Sequence, residues 1–104
     1  VSLVASEDLD LESADAGDTL EINAGGDARI GSLTAAGAIT LVAGGNVGLD
    51  SAEAGGPLDI DSGGDVAITG TVTAVDNLDV DAGGAIDVGG ELQSLDGPVT
   101  LLAG

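Results

Sequence analysis

The stretch Leu20-Glu21-Ile22-Asn23-Ala24-Gly25-Gly26-Asp27-Ala28-Arg29-Ile30 decides the fold. Apolar residues at 20 and 22, and again at 28 and 30, alternate with polar ones. That is the period of a strand with one face turned inward. A small-Gly-Gly triplet separates the two runs. The triplet recurs at Ala43-Gly44-Gly45, Ser62-Gly63-Gly64 and Ala82-Gly83-Gly84, with Ala103-Gly104 beginning a further copy and Ala5-Ser6-Glu7 a degenerate first one. The first members are spaced by 19, 19, 19, 20 and 21 residues. Repeats of this length are the mark of a solenoid.

Three sets of i, i+2 pairs accompany each triplet. Before it stand Val1/Leu3, Leu20/Ile22, Ile39/Leu41, Leu58/Ile60, Leu78/Val80 and Val99/Leu101. After it come Leu9/Leu11, Ala28/Ile30, Val47/Leu49, Val66/Ile68 and Ile86/Val88. A third, smaller set is Ala14/Ala16, Leu33/Ala35, Ala52/Ala54, Val72/Ala74 and Leu92/Ser94. The pattern predicts an all-β chain: a right-handed, three-sided parallel β-helix of 19–20 residues per coil and about five coils. Each coil is expected to hold three short strands joined by tight turns. Departures from the 19-residue step fall at turns, around 69–71, 89–91 and 95–98. A slip inside a strand would instead turn the apolar set outward. The Gly pairs are expected to supply positive-φ backbone, and Pro57 and Pro98 sit just before a first strand, where a missing N–H is tolerated.

One coil cannot bury its inward side chains alone. Stacking at the strand spacing of ~4.8 Å pairs the backbone groups and extends the core. Each buried Leu, Ile or Val contributes roughly 1.5–3 kcal/mol. Residues 1–104 read as one solenoid segment, expected to be an excerpt of a longer repeat protein because neither terminal coil carries a polar cap.

Composition narrows the function. The chain has 19 acids against one base, Arg29, and no His, Cys, Met or aromatic residue. A net charge of −18 opposes binding to nucleic acid or an anionic membrane surface. It suits a cation-rich medium in which screening relieves self-repulsion. No apolar run approaches the ~20 residues of a membrane span. The regular aliphatic placement and positive mean hydropathy set the chain apart from a disordered acidic tract.

The unit L-x-I-x-A-G-G-D/N-φ-x-φ, carried by Leu20 to Asp27 and by Leu78-Asp79-Val80-Asp81-Ala82-Gly83-Gly84, resembles the β-helix repeats of the filamentous haemagglutinin family. The resemblance spans the whole chain. It implies the shaft of a large, two-partner-secreted exoprotein or adhesin at the cell surface. In that family such repeats serve adhesion, biofilm formation or delivery of a toxic tip; with no candidate tip, export domain or toxin read in this sequence, only the shaft role carries over. The implied partners are adjoining coils, other copies of the chain, and a host-cell or biofilm-matrix ligand reached through a distant tip. An alternative is a self-assembling extracellular or surface-layer filament subunit, stacked end to end with cations between acidic faces.

Candidate sites are few. Asp59 and Asp61 are expected on an outward strand face with Asp79 and Asp81 directly beside them in the next coil. Carboxylates ~4.8 Å apart repel by about 1 kcal/mol in water and several times that at lower dielectric, so a Ca²⁺ ion or diffuse counterions would relieve them. No cofactor is otherwise required. A second ladder, Asp8, Asp27, Asn46 and Asp65, ending at Ala85, is expected to hydrogen-bond backbone N–H groups at a corner. The nonapeptide Ca²⁺ roll does not fit, because Gly25-Gly26-Asp27-Ala28-Arg29-Ile30 lacks its second Gly and its Asp. Carboxylate pairs hydrolyse glycosides on some β-helices. Here there is no aromatic platform, no His or Lys and no long loop, so the chain reads as non-catalytic.

Overall fold

The computed structural model describes residues 2–104. Every element is a β-strand, and every pairing is parallel between successive coils. The first coil holds β1 (Ser2–Ala5) and β2 (Leu9–Ala16), the second β3 (Leu20–Ala24) and β4 (Ala28–Ala35), and the third β5 (Ile39–Ala43) and β6 (Val47–Ala54). The fourth holds β7 (Leu58–Ser62), β8 (Val66–Ile68) and β9 (Thr71–Ala74). The fifth holds β10 (Leu78–Ala82), β11 (Ile86–Val88) and β12 (Glu91–Ser94), and β13 (Val99–Ala103) follows. One sheet runs β1-β3-β5-β7-β10-β13. The other runs β2-β4-β6 and then continues through β8 and β9 to β11 and β12. The fold is a parallel β-solenoid of about five turns.

The columns inferred from the repeat are the register of the structure. Leu20 stands on Ile39, Ile39 on Leu58, Leu58 on Leu78, and Leu78 on Val99. Ala28, Val47, Val66 and Ile86 form the second column, and Leu33, Ala52, Val72 and Leu92 the third. The central coils close a dry interior: Leu20, Ile22, Ile39, Leu41, Leu58, Ile60, Leu78 and Val80 are completely buried. Inward residues of the outer coils, Leu3, Leu9, Leu11, Ile86, Val88 and Leu92, are only partly covered. Val1, paired with Leu3 in the sequence, lies outside the described residues.

The structure amends two expectations. In the first three coils the second and third strands are one continuous eight-residue strand, as in β4. Two residues, such as Gly31-Ser32 between inward Ile30 and Leu33, reset the inward phase; the pairing skips Gly31 and resumes in the same register at Ser32. In coils four and five three residues fill this interval, Thr69-Gly70-Thr71 and Gly89-Gly90-Glu91, and the strand divides.

Second, no described glycine has a positive φ. The Gly-Gly corners answer to close approach between coils instead. A Cβ on Gly44 would lie within 3.0 Å of the Gly25 carbonyl oxygen, and one on Gly63 would meet Gly44 in the same way. Corners that stack at ~4.8 Å leave no room for a side chain along the axis.

Candidate functional site

Among the described residues, the two ladders and the outward faces carry polar chemistry in regular array. The corner ladder is built by the residue after each Gly-Gly pair. Asp27 N–H donates to Asp8 Oδ1 at 3.0 Å, and Asn46 N–H to Asp27 Oδ1 at 2.9 Å. Asp65 N–H donates to Asn46 Oδ1 at 2.8 Å, and Ala85 N–H to Asp65 Oδ1 at 2.9 Å. Each side chain therefore satisfies the backbone of the next coil. The ladder stands where the sequence pattern places it, with backbone N–H groups as its donors; each donor lies one coil away rather than within the same turn. Asp and Asn share the role because each offers a side-chain oxygen at the same height.

Two serines close corners that alanine leaves apolar. Ser62, buried where other coils carry Ala24, Ala43 and Ala82, donates to the Gly45 carbonyl at 2.7 Å and accepts from Gly64 N–H at 3.2 Å. Ser94 donates to the carbonyls of Gly97, at 2.8 Å, and Asp76, and accepts from Gly97 N–H. Ser62 is the third inward residue of β7 and Ser94 the second of β12, and their turn-closing role is not legible in the sequence. Among the described residues no buried side-chain nitrogen or oxygen lacks a hydrogen-bond partner.

The four expected carboxylates are brought together. Asp59 pairs with Asp79 and Asp61 with Asp81 across β7 and β10, all on the exposed face. The acidic patch ends there. The flanking rungs present Thr40 and Val42 on one side and Thr100 and Leu102 on the other. Partial burial, then the charges of Asp79, Asp61 and Asp81, push the Asp59 carboxyl above the ordinary carboxylate value. Among the described residues no three acidic, His or Cys side chains converge tightly enough to hold a metal ion. The four carboxylates form a ladder of like charges along a flat sheet, with ~6.7 Å between neighbours on one strand.

Arg29 stands beside its register partner Asp10, and both line a shallow groove with Asp8, Leu9 and Asp27. A second groove runs along the corner that follows the third inward pair. Its lining includes Asp15, Thr34, Glu53 and Thr73 on the strand face, and Gly17, Ala36, Gly55, Val75 and Leu95 at the corner. Nothing in any single repeat distinguishes these corner residues. Their alignment becomes visible only when the coils are stacked.

A regular coil, Gly-Gly corners and an unbroken set of inward columns bear directly on the chain's relatives. The haemagglutinin repeat model matches residues 1–54 and 54–97, nearly the whole chain. The chain belongs to the haemagglutinin repeat family. The boundary between its two haemagglutinin repeats falls at Ala54, the last residue of β6, where the coils with a continuous strand give way to those with a divided one. No curated protein and no solved structure matches the chain. Haemagglutinin repeats are typical of secreted or surface-exposed proteins and are in general non-enzymatic. No helix of the described residues is long and apolar enough to cross a membrane.

Proposed function

We propose that this chain is a structural shaft segment of a secreted, surface-associated adhesin or exoprotein, a rigid, non-catalytic spacer that holds a distant binding tip away from the cell. The observation that carries this reading is the uninterrupted register of three inward columns through every coil. A stack paired rung on rung lengthens by ~4.8 Å per coil without changing its cross-section. Corner insertions leave the columns aligned, so such a shaft accepts variation at its surface while staying straight.

Membership of the haemagglutinin repeat family supports the same role. The alternative is a filament of identical subunits stacked end to end, with cations between acidic faces. The acidic face of Asp59, Asp61, Asp79 and Asp81 is read as a surface for screening cations, Ca²⁺ among them, rather than a coordinated site.

Electron microscopy of the purified chain tests the reading. Discrete particles of the single chain's dimensions, 32 × 28 × 17 Å, that do not lengthen with concentration are expected. Regular fibres would instead support the filament. Thermal melting with and without Ca²⁺ at matched ionic strength tests the cation role, and a specific rise with Ca²⁺ would show that the ion is held rather than merely screening.

A further inference from the structure

We propose that the corner groove beside the third inward column is a docking surface for an extended, basic segment of a partner protein, with small or apolar residues between its Lys or Arg side chains. The groove has a volume of about 480 Å³ and runs parallel to the solenoid axis, taking residues from every coil. Its floor is flat in the first three coils, where Gly17, Ala36 and Gly55 occupy successive rungs. It rises at the far end to Val75 and Leu95, which are 38% and 61% exposed. Two branched aliphatic side chains at adjacent corners, open to water, form an apolar step with no cover from the fold. Exposed apolar surface of this kind marks contact sites.

The rim supplies the charge. Asp15, Thr34, Glu53 and Thr73 form one outward column on the adjoining strand face. Asp15 and Glu53 are two rungs apart, roughly 9.6 Å. An extended peptide in the polyproline II conformation has three residues per turn and rises about 3.1 Å per residue, so i and i+3 share one edge about 9.3 Å apart. Basic side chains at i and i+3 therefore reach both carboxylates while the intervening residues lie along the small-residue floor. Thr34 and Thr73 offer hydroxyls to the peptide backbone between those points. The only base in the chain, Arg29, lines a different groove and does not neutralise this rim. A second copy of the chain would bring 18 further negative charges to the same rim, so it is a poor occupant.

The test is calorimetric titration of the intact chain, at about 150 mM salt, with the peptide Lys-Val-Ala-Lys-Val-Ala-Lys and with an equally charged Lys-Gly-Gly-Lys-Gly-Gly-Lys control. The apolar peptide is expected to bind at least tenfold more tightly than the control. Val75→Asn combined with Leu95→Asn should remove that advantage, and Glu53→Gln should weaken binding several-fold. Asp59→Asn, on the other sheet, should change it less than twofold. All of these positions are exposed, and circular dichroism verifies that each variant is folded. Equal weakening by Glu53→Gln and Asp59→Asn would reduce the interaction to diffuse attraction and overturn the proposal. So would unchanged binding in the Val75, Leu95 variant, no binding at millimolar peptide, or concentration-dependent self-association of the chain that Leu95→Asn abolishes.

Discussion

Coils one to three carry their second and third inward pairs on one eight-residue strand, whereas coils four and five carry the same pairs on separate strands of three and four residues. The difference is a single residue at the corner: two between Ile30 and Leu33, three between Ile68 and Val72. Yet Val72 stands on Ala52 and Ala74 on Ala54, so the inward column passes through the change unbroken. The solenoid is strict about what lies inside a strand and lenient about what lies between strands. The outward faces diverge as well. β5 shows Thr40 and Val42 to solvent, while β7 and β10 show four aspartates in their place. Interior and exterior thus vary independently, as expected of a fold whose stability comes from repeated contacts between neighbouring coils.

The largest effect should come from violating the strict part. Deleting Asp79, in the middle of β10, reverses the inward and outward residues on one side of the deletion. It is expected to abolish cooperative unfolding, whereas deleting Gly89, in the divided corner of coil five, leaves Val88 and Leu92 inward and the chain folded. Circular dichroism melts of the two variants decide this. Equal damage would remove the distinction between strand and corner.

Next come the glycines. Gly44→Ala pushes a methyl group against the Gly25 backbone and should cost about 1–3 kcal/mol in a denaturant titration. Gly48→Ala, whose Cβ meets nothing within 4 Å, should change stability by no more than about 0.5 kcal/mol. Removing a ladder oxygen is expected to be milder. Asn46→Ala leaves Asp65 N–H without its acceptor and should cost about 0.5–1.5 kcal/mol, read in the same titration.

The smallest effect concerns the acidic rungs of coils four and five. Because the folded state raises the Asp59 carboxyl above its unfolded value of about 3.9, the folded chain binds more protons in the interval between the two. The penalty is present at neutral pH. It is relieved as pH falls through the raised value toward the unfolded one. Asp59→Asn should therefore raise the melting temperature by a few degrees at neutral pH and low salt, with the gain shrinking on acidification and in high salt. A variant that melts lower than the parent at neutral pH would show that Asp59 has a favourable partner.

Most of this architecture is legible from residues alone, because a two-residue period inside a 19-residue repeat fixes which side chain stands over which. Leu20, Ile39, Leu58 and Leu78 are aligned in the sequence before any coordinate is known. Asp59 over Asp79 follows from the same alignment. The merging of strands in the first three coils was not legible. A two-residue spacer is compatible with either a turn or a bend, and only the continuing pairing of Ser32 with Ser51 distinguishes them. Nor was the reason for the Gly-Gly corners, which is a distance between coils rather than a property of the glycine backbone. The corner groove escaped for a related cause. Gly17, Ala36, Gly55, Val75 and Leu95 are unremarkable in each repeat and acquire a common surface only once stacked.

The register between coils is the central claim, and the absence of native cysteine makes it directly measurable. Thr40 and Asp59 are register partners on adjacent parallel strands, at a spacing within the range that a disulfide bridges. Thr40→Cys with Asp59→Cys should oxidise readily to an intramolecular disulfide, while Thr40→Cys with Asp61→Cys, displaced by two residues, should not. Equal crosslinking of both pairs, or of the displaced pair alone, would contradict the stacked solenoid.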